Sequence, residues 1–440
     1  MVVPKKLNFI WLMAAFLAAI YYFFGIKFFV AGLVGVCGFV MVIYDVKIGL
    51  FGAAFLYPFL PDAAGLIMLL SMGFFVLIRS ILFKEKIEVM DITLPIGLFG
   101  FVAIFATITS IEPMGSLRDL ALNAAGLSFV FAMTNTIKKK SELNAFISVF
   151  LVSALLVGLI GIYQRFTGVE MRPEWLDVEN NTDIAVRVYS VFQNPNILAE
   201  YLVMLIPLAV GVTWHTKSMR KKIVFTGATG LLLVCILLTL SRGGWVGIAF
   251  AALTFIILVD LRLLILAIPV GLGGLMFLPD QMLNRIISIG STVDSSNSYR
   301  IKIWEITMNL IRDHKVGGVG FGYIPFKKTF ETYIRTMPIY HAHNTYLEVA
   351  AEIGIAGLFI FMLFMLSTLK YAYINLVKSE DKYYKYIGAG LCASIVGIMA
   401  HGLVEHFLYI PRIIFTFWII IGIIFTAIKV QKNEKIEIQN

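Results

Sequence analysis

The sequence predicts an all-α protein, a polytopic bundle of twelve to fourteen transmembrane helices with a large external loop carrying amphipathic helices. Three observations carry that prediction. Hydrophobic residues make up 59% of the 440-residue chain and charged residues only 14%, with a mean hydropathy of +0.88, a balance too apolar for a soluble fold. Fourteen apolar runs approach the roughly 20 residues that a helix needs to cross about 30 Å of hydrocarbon. Lys and Arg gather in short clusters between those runs, so the formal charge of +9 reports membrane topology rather than nucleic-acid binding.

The runs fall near 9–24, 27–43, 48–60, 64–82, 92–110, 118–135, 143–163, 196–214, 222–240, 244–259, 263–278, 343–369, 386–407 and 412–429. The first is read as a spanning helix rather than a cleaved leader, because no small-residue cleavage site follows it. With the N-terminus in the cytoplasm, six basic clusters share that side: Lys5/Lys6, Lys84/Lys86, Lys138 to Lys140, Lys217 to Lys222, Lys370 to Lys385 and Lys429 to Lys435. This is the distribution that the positive-inside rule demands. Cys37, Cys235 and Cys392 all sit inside apolar runs, so no disulfide framework or CxxC metal motif is expected.

The chain therefore divides into N-terminal helices over 1–163, an external loop over 164–195, helices over 196–278, a large external loop over 279–342, helices over 343–429 and a frayed cytoplasmic tail over 430–440. The larger loop holds the amphipathic stretch SYRIKIWEITMNLIRDH followed by GGVGFGYIPF, an interfacial helix and then a tight turn.

Ionisable residues are costly inside spanning segments, about 2.5–3.5 kcal/mol each on insertion scales, so their placement is informative. They crowd the external ends: Arg118 and Asp119, Glu200, Arg242, His341 and His343, Glu348 and Glu352, His401, Glu405 and His406, and Arg412. Snorkelling and capping explain single members of this ring, but not the set. Glu348/Glu352 and His401/Glu405 are spaced i, i+4, so each pair shares a helix face that should turn into the bundle, and Glu352 is expected to clamp helices. Arg242, in TLSRGGW, presents a permanent forked cation suited to a phosphate at headgroup depth, and Arg300 offers a second. In HAHN, 341–344, one imidazole suffices for a general base, whereas a metal site would need further ligands; Asn344 is a natural cap for the helix that follows. No P-loop or dinucleotide fingerprint is present, and no cofactor is expected. An activated donor already in the membrane, a lipid-anchored diphosphate, fits these arginines.

Five segments resemble the O-antigen ligase-like superfamily of ligases, polymerases and bacterial O-oligosaccharyltransferases: FQNPNILAEYL (192–202), TLSRGGWVGIAFA (239–251), SYRIKIWEITMNLI (298–311), VGGVGFG (316–322) and HAHNTYLEVAAEIGIAGLFIF (341–361). They stand in family order in the second half of the chain. The resemblance implies a glycosyltransferase-C-like bundle and an inverting, metal-independent glycosyl transfer. The donor would be an undecaprenyl-diphosphate-linked glycan. The acceptor would be a lipid, a growing polysaccharide or a protein hydroxyl. The place would be the external face of a bacterial cytoplasmic (inner) membrane. It further implies that Arg242 and Arg300 bind the diphosphate and that His343, with His341 as second choice, activates the acceptor. Arg118, Asn344, Glu348 and Glu405 complete the expected substrate-binding set. The alternative is a transporter or flippase of lipid-linked oligosaccharide, which should carry charges along a midplane path rather than at one face.

Overall fold

A computed structural model describes residues 18, 22, 25, 38–88, 94–169, 186–287, 289, 295–337 and 339–439. Most of the expected helices at 9–24 and 27–43, the Lys5/Lys6 cluster and Cys37 lie outside these residues, as does 170–185 of the first long loop.

Among the described residues there is no strand. The first half holds α1 (Val46–Leu56), α2 (Asp62–Phe83), α3 (Leu94–Ile108), α4 (Pro113–Thr136) and α5 (Lys140–Thr167). After the first loop come α6 (Pro195–His215), α7 (Met219–Leu238), α8 (Arg242–Val259) and α9 (Leu263–Leu275). The large loop folds as α10 (Asp280–Ile287), α11 (Ser295–Asp313) and α12 (Tyr323–Tyr333). α13 (Thr345–Ala372), α14 (Lys382–His401) and α15 (Pro411–Gln439) close the chain. Every apolar run expected from residue 48 onward thus contains a helix, and seven of these helices are long and apolar enough to cross a membrane.

Charges sort to the two ends of the bundle. At one end Lys47 pairs with Glu142 at 2.9 Å, Lys138 with Glu88 at 3.3 Å, and Lys140 with Asp381; Lys429 reaches the Thr134 carbonyl oxygen at 2.9 Å. Lys138, Lys140 and Lys429 belong to the basic clusters that the sequence placed on one side. The opposite end gathers the arginines, histidines and glutamates of the ring.

The helices at the centre are α15, with 94% of its apolar window buried, and α6, with 83%. α6 crosses α14 backbone to backbone, since a Cβ on Gly211 would lie 2.6 Å from the Tyr386 carbonyl oxygen and one on Gly390 2.6 Å from that of Pro207. Small residues at such crossings replace the hydrophobic drive that lipid cannot supply. α15 packs on α4 through Trp418, whose Nε1 donates to Asn123 Oδ1 at 3.0 Å.

α13 is broken at Gly354, which adopts φ +77°. The break leaves helix carbonyls without intrahelical partners, and the glycine-rich loop supplies donors: Val319 N–H to the Ala351 oxygen at 2.9 Å and Gly320 N–H to that of Glu352 at 3.0 Å. Ile355 N–H donates in return to Lys315 at 3.0 Å. Gly318 has φ +69°, and a Cβ there would fall 2.2 Å from the Glu352 oxygen. Gly318→Ala is therefore expected to lower the melting temperature of the detergent-solubilised protein, by about 2–3 kcal/mol of stability. Gly317→Ala, where a Cβ meets nothing within 4 Å, should leave it unchanged.

Two expectations are corrected. The tail does not fray at 430: α15 continues to Gln439, held by Tyr384 Oη donating to Glu434 at 2.7 Å and Gln431 Nε2 donating to Ser379 Oγ at 2.5 Å. The helix expected at 386–407 stops at His401, so His401 and Glu405 do not share a continuous helix face. Glu405 stands on a turn, its N–H still bonded to the His401 oxygen at 3.1 Å.

Candidate functional site

Three capped helix N-termini and the two long loops meet at the ring end. Asn194 caps α6, its Oδ1 accepting from Asn196 N–H at 2.8 Å. Ser241 caps α8, accepting from Gly244 N–H at 3.4 Å. Asn344 caps α13, accepting from Tyr346 and Leu347 N–H at 3.0 Å each. Each cap points a helix N-terminus, with its partial positive charge, toward the same region.

Between α6 and α8 lies a pocket lined by Arg187, Asn196, Arg242, Arg285, Arg300, His401 and Glu405, among others. Arg242, the first residue of α8, is 8% exposed and donates to Asn297 Oδ1 at 3.4 Å. Its two following glycines permit the approach: a Cβ on Gly243 would meet the His401 ring at 2.8 Å, and one on Gly244 would lie 2.6 Å from Ala199 Cβ. Arg300, on α11, faces Glu405 with Nη2 3.6 Å from Oε2. Arg187 donates to the Thr239 carbonyl oxygen and to Asn196 Oδ1, both at 3.0 Å. Arg285, on α10, donates to the Leu240 carbonyl oxygen at 3.4 Å.

Four guanidiniums thus face one pocket with a single carboxylate among the lining residues. Burial, followed by the neighbouring Arg285, Arg300 and Arg242, pushes the Arg187 guanidinium down to about 9, still protonated at neutral pH. Burial would raise the carboxyl of Glu405, yet His343, His341 and Arg300 outweigh it and hold the group well below the usual carboxylate range. The pocket keeps a surplus of fixed positive charge out of water, an arrangement that suits an anion with several oxygens.

Glu405 links this pocket to the histidines. Its Oε1 lies 2.8 Å from His343 Nδ1 and 3.4 Å from His341 Nε2, while its Oε2 accepts from Asn196 Nδ2 at 3.2 Å. The histidine rings are 4.2 Å apart, brought together by the left-handed backbone of His343, φ +49°, and not by an extended strand. His343 N–H donates to His341 Nδ1 at 3.1 Å, and Trp304 Nε1 holds the Ala342 carbonyl oxygen at 3.0 Å. With Nδ1–H given to Glu405, the neutral His343 ring presents Nε2 as its basic nitrogen. His341 is almost fully buried; burial first, then His343, drive its imidazole well below the ordinary value.

The structure therefore brings together Arg242, Arg300, His341, His343 and Glu405. It places the others elsewhere. Asn344 is occupied by its cap and by the Leu403 carbonyl oxygen, to which Nδ2 donates at 3.0 Å. Arg118 pairs with Asp119 at 2.9 Å and lies over the Tyr323 ring, separated from the pocket by the column of Tyr323, Tyr409 and His341. Glu348 lies fully buried beneath the histidines. Arg412 clamps the fold, its Nη1 donating to the Val191 carbonyl oxygen at 2.7 Å. Sequence reasoning passed over Arg187 and Arg285; their only signal is an arginine set among apolar neighbours in a long loop, AVRVYS and LNRII.

Residues 227–362 match the family described as O-Antigen ligase, a stretch from within α7 to the middle of α13. It contains Arg242, Arg285, Arg300, His341 and His343, while Arg187, Asn196 and Glu405 are supplied from outside it. A search of curated proteins found no match to the chain.

Proposed function

From the premise that the chain carries an O-antigen ligase domain over residues 227–362, within a multi-pass helical bundle, we propose that it transfers a glycan from an undecaprenyl-diphosphate-linked donor to an acceptor hydroxyl. The place is the external face of a bacterial cytoplasmic membrane. The observation that supports this most is the union, through Glu405, of a buried guanidinium pocket with a histidine held as a base.

In this reading Arg242, Arg300, Arg187 and Arg285 grip the diphosphate. His343 Nε2 takes the proton from the acceptor hydroxyl as its oxygen attacks the anomeric carbon. The bond from that carbon to the diphosphate breaks on the opposite face, so configuration inverts. The leaving undecaprenyl diphosphate gains negative charge as it departs, and the guanidiniums stabilise that charge more in the transition state than in the bound donor. The proton then passes from His343 to solvent. No metal contact to the diphosphate is required, because the arginines supply the countercharge. Glu405 acts as a positioning residue, fixing the His343 tautomer and stabilising the imidazolium that forms.

The test uses purified protein in liposomes with an undecaprenyl-diphosphate glycan and the cell's own acceptor glycan or lipid. Acceptor-dependent release of undecaprenyl diphosphate, with the glycan covalently attached to the acceptor, is expected. Movement of the intact donor between leaflets without acceptor, and with no diphosphate released, would overturn the reading in favour of a flippase.

A further inference from the structure

Beneath the histidines lies a second cluster that the transfer reaction does not use. Glu348 and Glu352 stand one turn apart on α13, and His406 approaches them from the turn after α14. All three are at least nine-tenths buried, at 0%, 4% and 1% exposure. Glu348 Oε1, Glu352 Oε1 and both ring nitrogens of His406 have no hydrogen-bond partner. One ligand atom from each residue lies within 4.8 Å of the other two, and His406 Nε2 is 4.0 Å from Glu352 Oε1. Asp119 Oδ2 is a further buried oxygen without a hydrogen-bond partner.

Orphaned polar atoms of this kind are rare, and two carboxylates so close in a dry site repel strongly unless something positive stands between them. The ligand atoms of the neighbouring triple of His341, His343 and Glu405 also lie within 4.8 Å of one another, but they are already spoken for by Asn196, Arg300, the His343 N–H and one another. The deeper triple offers unused donors.

We propose that Glu348, Glu352 and His406 form a binding site for one divalent transition-metal ion, of the Mn2+ or Zn2+ class. Two carboxylate oxygens balance a dication, and an imidazole nitrogen selects for a transition metal over Ca2+ or Mg2+, which take oxygen ligands. At bonds of about 2.0–2.2 Å, donors on opposite sides of an ion stand at most about 4.4 Å apart, so the observed spacing closes with a shift of less than an ångström. The ion would act at a distance from the diphosphate. Glu348 Oε2 accepts from the backbone N–H of Ala342, the residue between the two histidines, and the Glu352 carbonyl oxygen accepts from Gly320. An ion on these side chains ties α13, the glycine loop and the 402–410 turn together and fixes His341–His343 from below.

The experiment dialyses purified full-length protein against chelator, then titrates Mn2+ and, in a separate run, Zn2+, each alone, following bound metal and melting temperature. Wild type should take up one equivalent and melt higher with it. Glu352→Gln and His406→Gln, each shown by its metal-free melting to be folded, should bind more than about 100-fold more weakly, beyond the loss that outer-shell changes produce. They should also lose the thermal shift. Binding should survive in His343→Ala. The proposal is overturned if wild type takes up neither Mn2+ nor Zn2+, if both glutamine variants bind as wild type does, or if binding is lost with His343→Ala but kept in Glu352→Gln. None of these readouts depends on glycan transfer, so failure here leaves that reading untouched.

Discussion

Arg242→Ala should slow transfer from a lipid-diphosphate donor by about 10²–10³-fold, the usual loss when one preorganised donor to a developing charge is removed. Arg242 is chosen over its neighbours because its place at the first turn of α8 adds the helix N-terminus to its own charge. Within the fold it donates to Asn297 Oδ1 at 3.4 Å. Arg187 holds Thr239 and Asn196 in place, so its removal mixes structural with catalytic loss. Arg242→Lys should recover only part of the rate, since an ammonium keeps the charge but not the fork. Stability should move the other way: taking one cation from a pocket shared with Arg187, Arg285 and Arg300 relieves repulsion, and the melting temperature should hold or rise. Single-turnover release of undecaprenyl diphosphate from folded protein measures the first effect, and thermal melting the second. A variant that turns over at the wild-type rate removes the guanidinium from the mechanism.

The sequence revealed the helices because lipid imposes a one-dimensional rule: long apolar runs, with charges banished to their ends. The same rule exposed Arg242 and the HAHN histidines, whose residue types are costly where they stand, whereas Arg300 offers only a second cation on the amphipathic stretch of the loop. What it hid depends on distance along the chain. Glu405 meets His343 across 62 residues and Asn196 across 209, so its linking role has no local signature. The i, i+4 spacing from His401 suggested a helix face that Gly402 and the turn after it interrupt. Arg187 and Arg285 look like ordinary loop arginines until the fold buries them. The break of α13 was hidden for another reason: a glycine in an apolar run usually signals close packing, and only the donors of the 318–320 loop turn Gly354 into a break. The tail of α15 read as frayed because chain termini usually are, whereas Tyr384 and Ser379, far away in sequence, hold it helical.

His343→Ala should lower kcat by about 10²–10⁴-fold, the range that a positioned general base supplies, and leave the KM for the donor nearly unchanged. That split follows from geometry. The ring touches Glu405 and His341, whereas the arginines proposed to grip the diphosphate lie beyond Glu405. Arg242→Ala should instead affect donor binding as well as turnover. Glu405→Gln separates the positioning role from the basic one. Glutamine keeps the size and can still accept from Nδ1–H, but it removes the charge that stabilises the imidazolium and deprives Arg300 of its counter-ion. Its kcat should fall between those of wild type and His343→Ala, with little further loss in the double variant, because residues acting as one unit are not additive. His341→Ala should cost less than His343→Ala, since the His341 ring is buried against Tyr409 and only 5% of its side chain is exposed, against 27% for His343. Steady-state assays that vary donor and acceptor separately measure the split. If His341→Ala were the more severe variant, the base would be His341, and Glu405, 3.4 Å from its Nε2, would be positioning that ring instead.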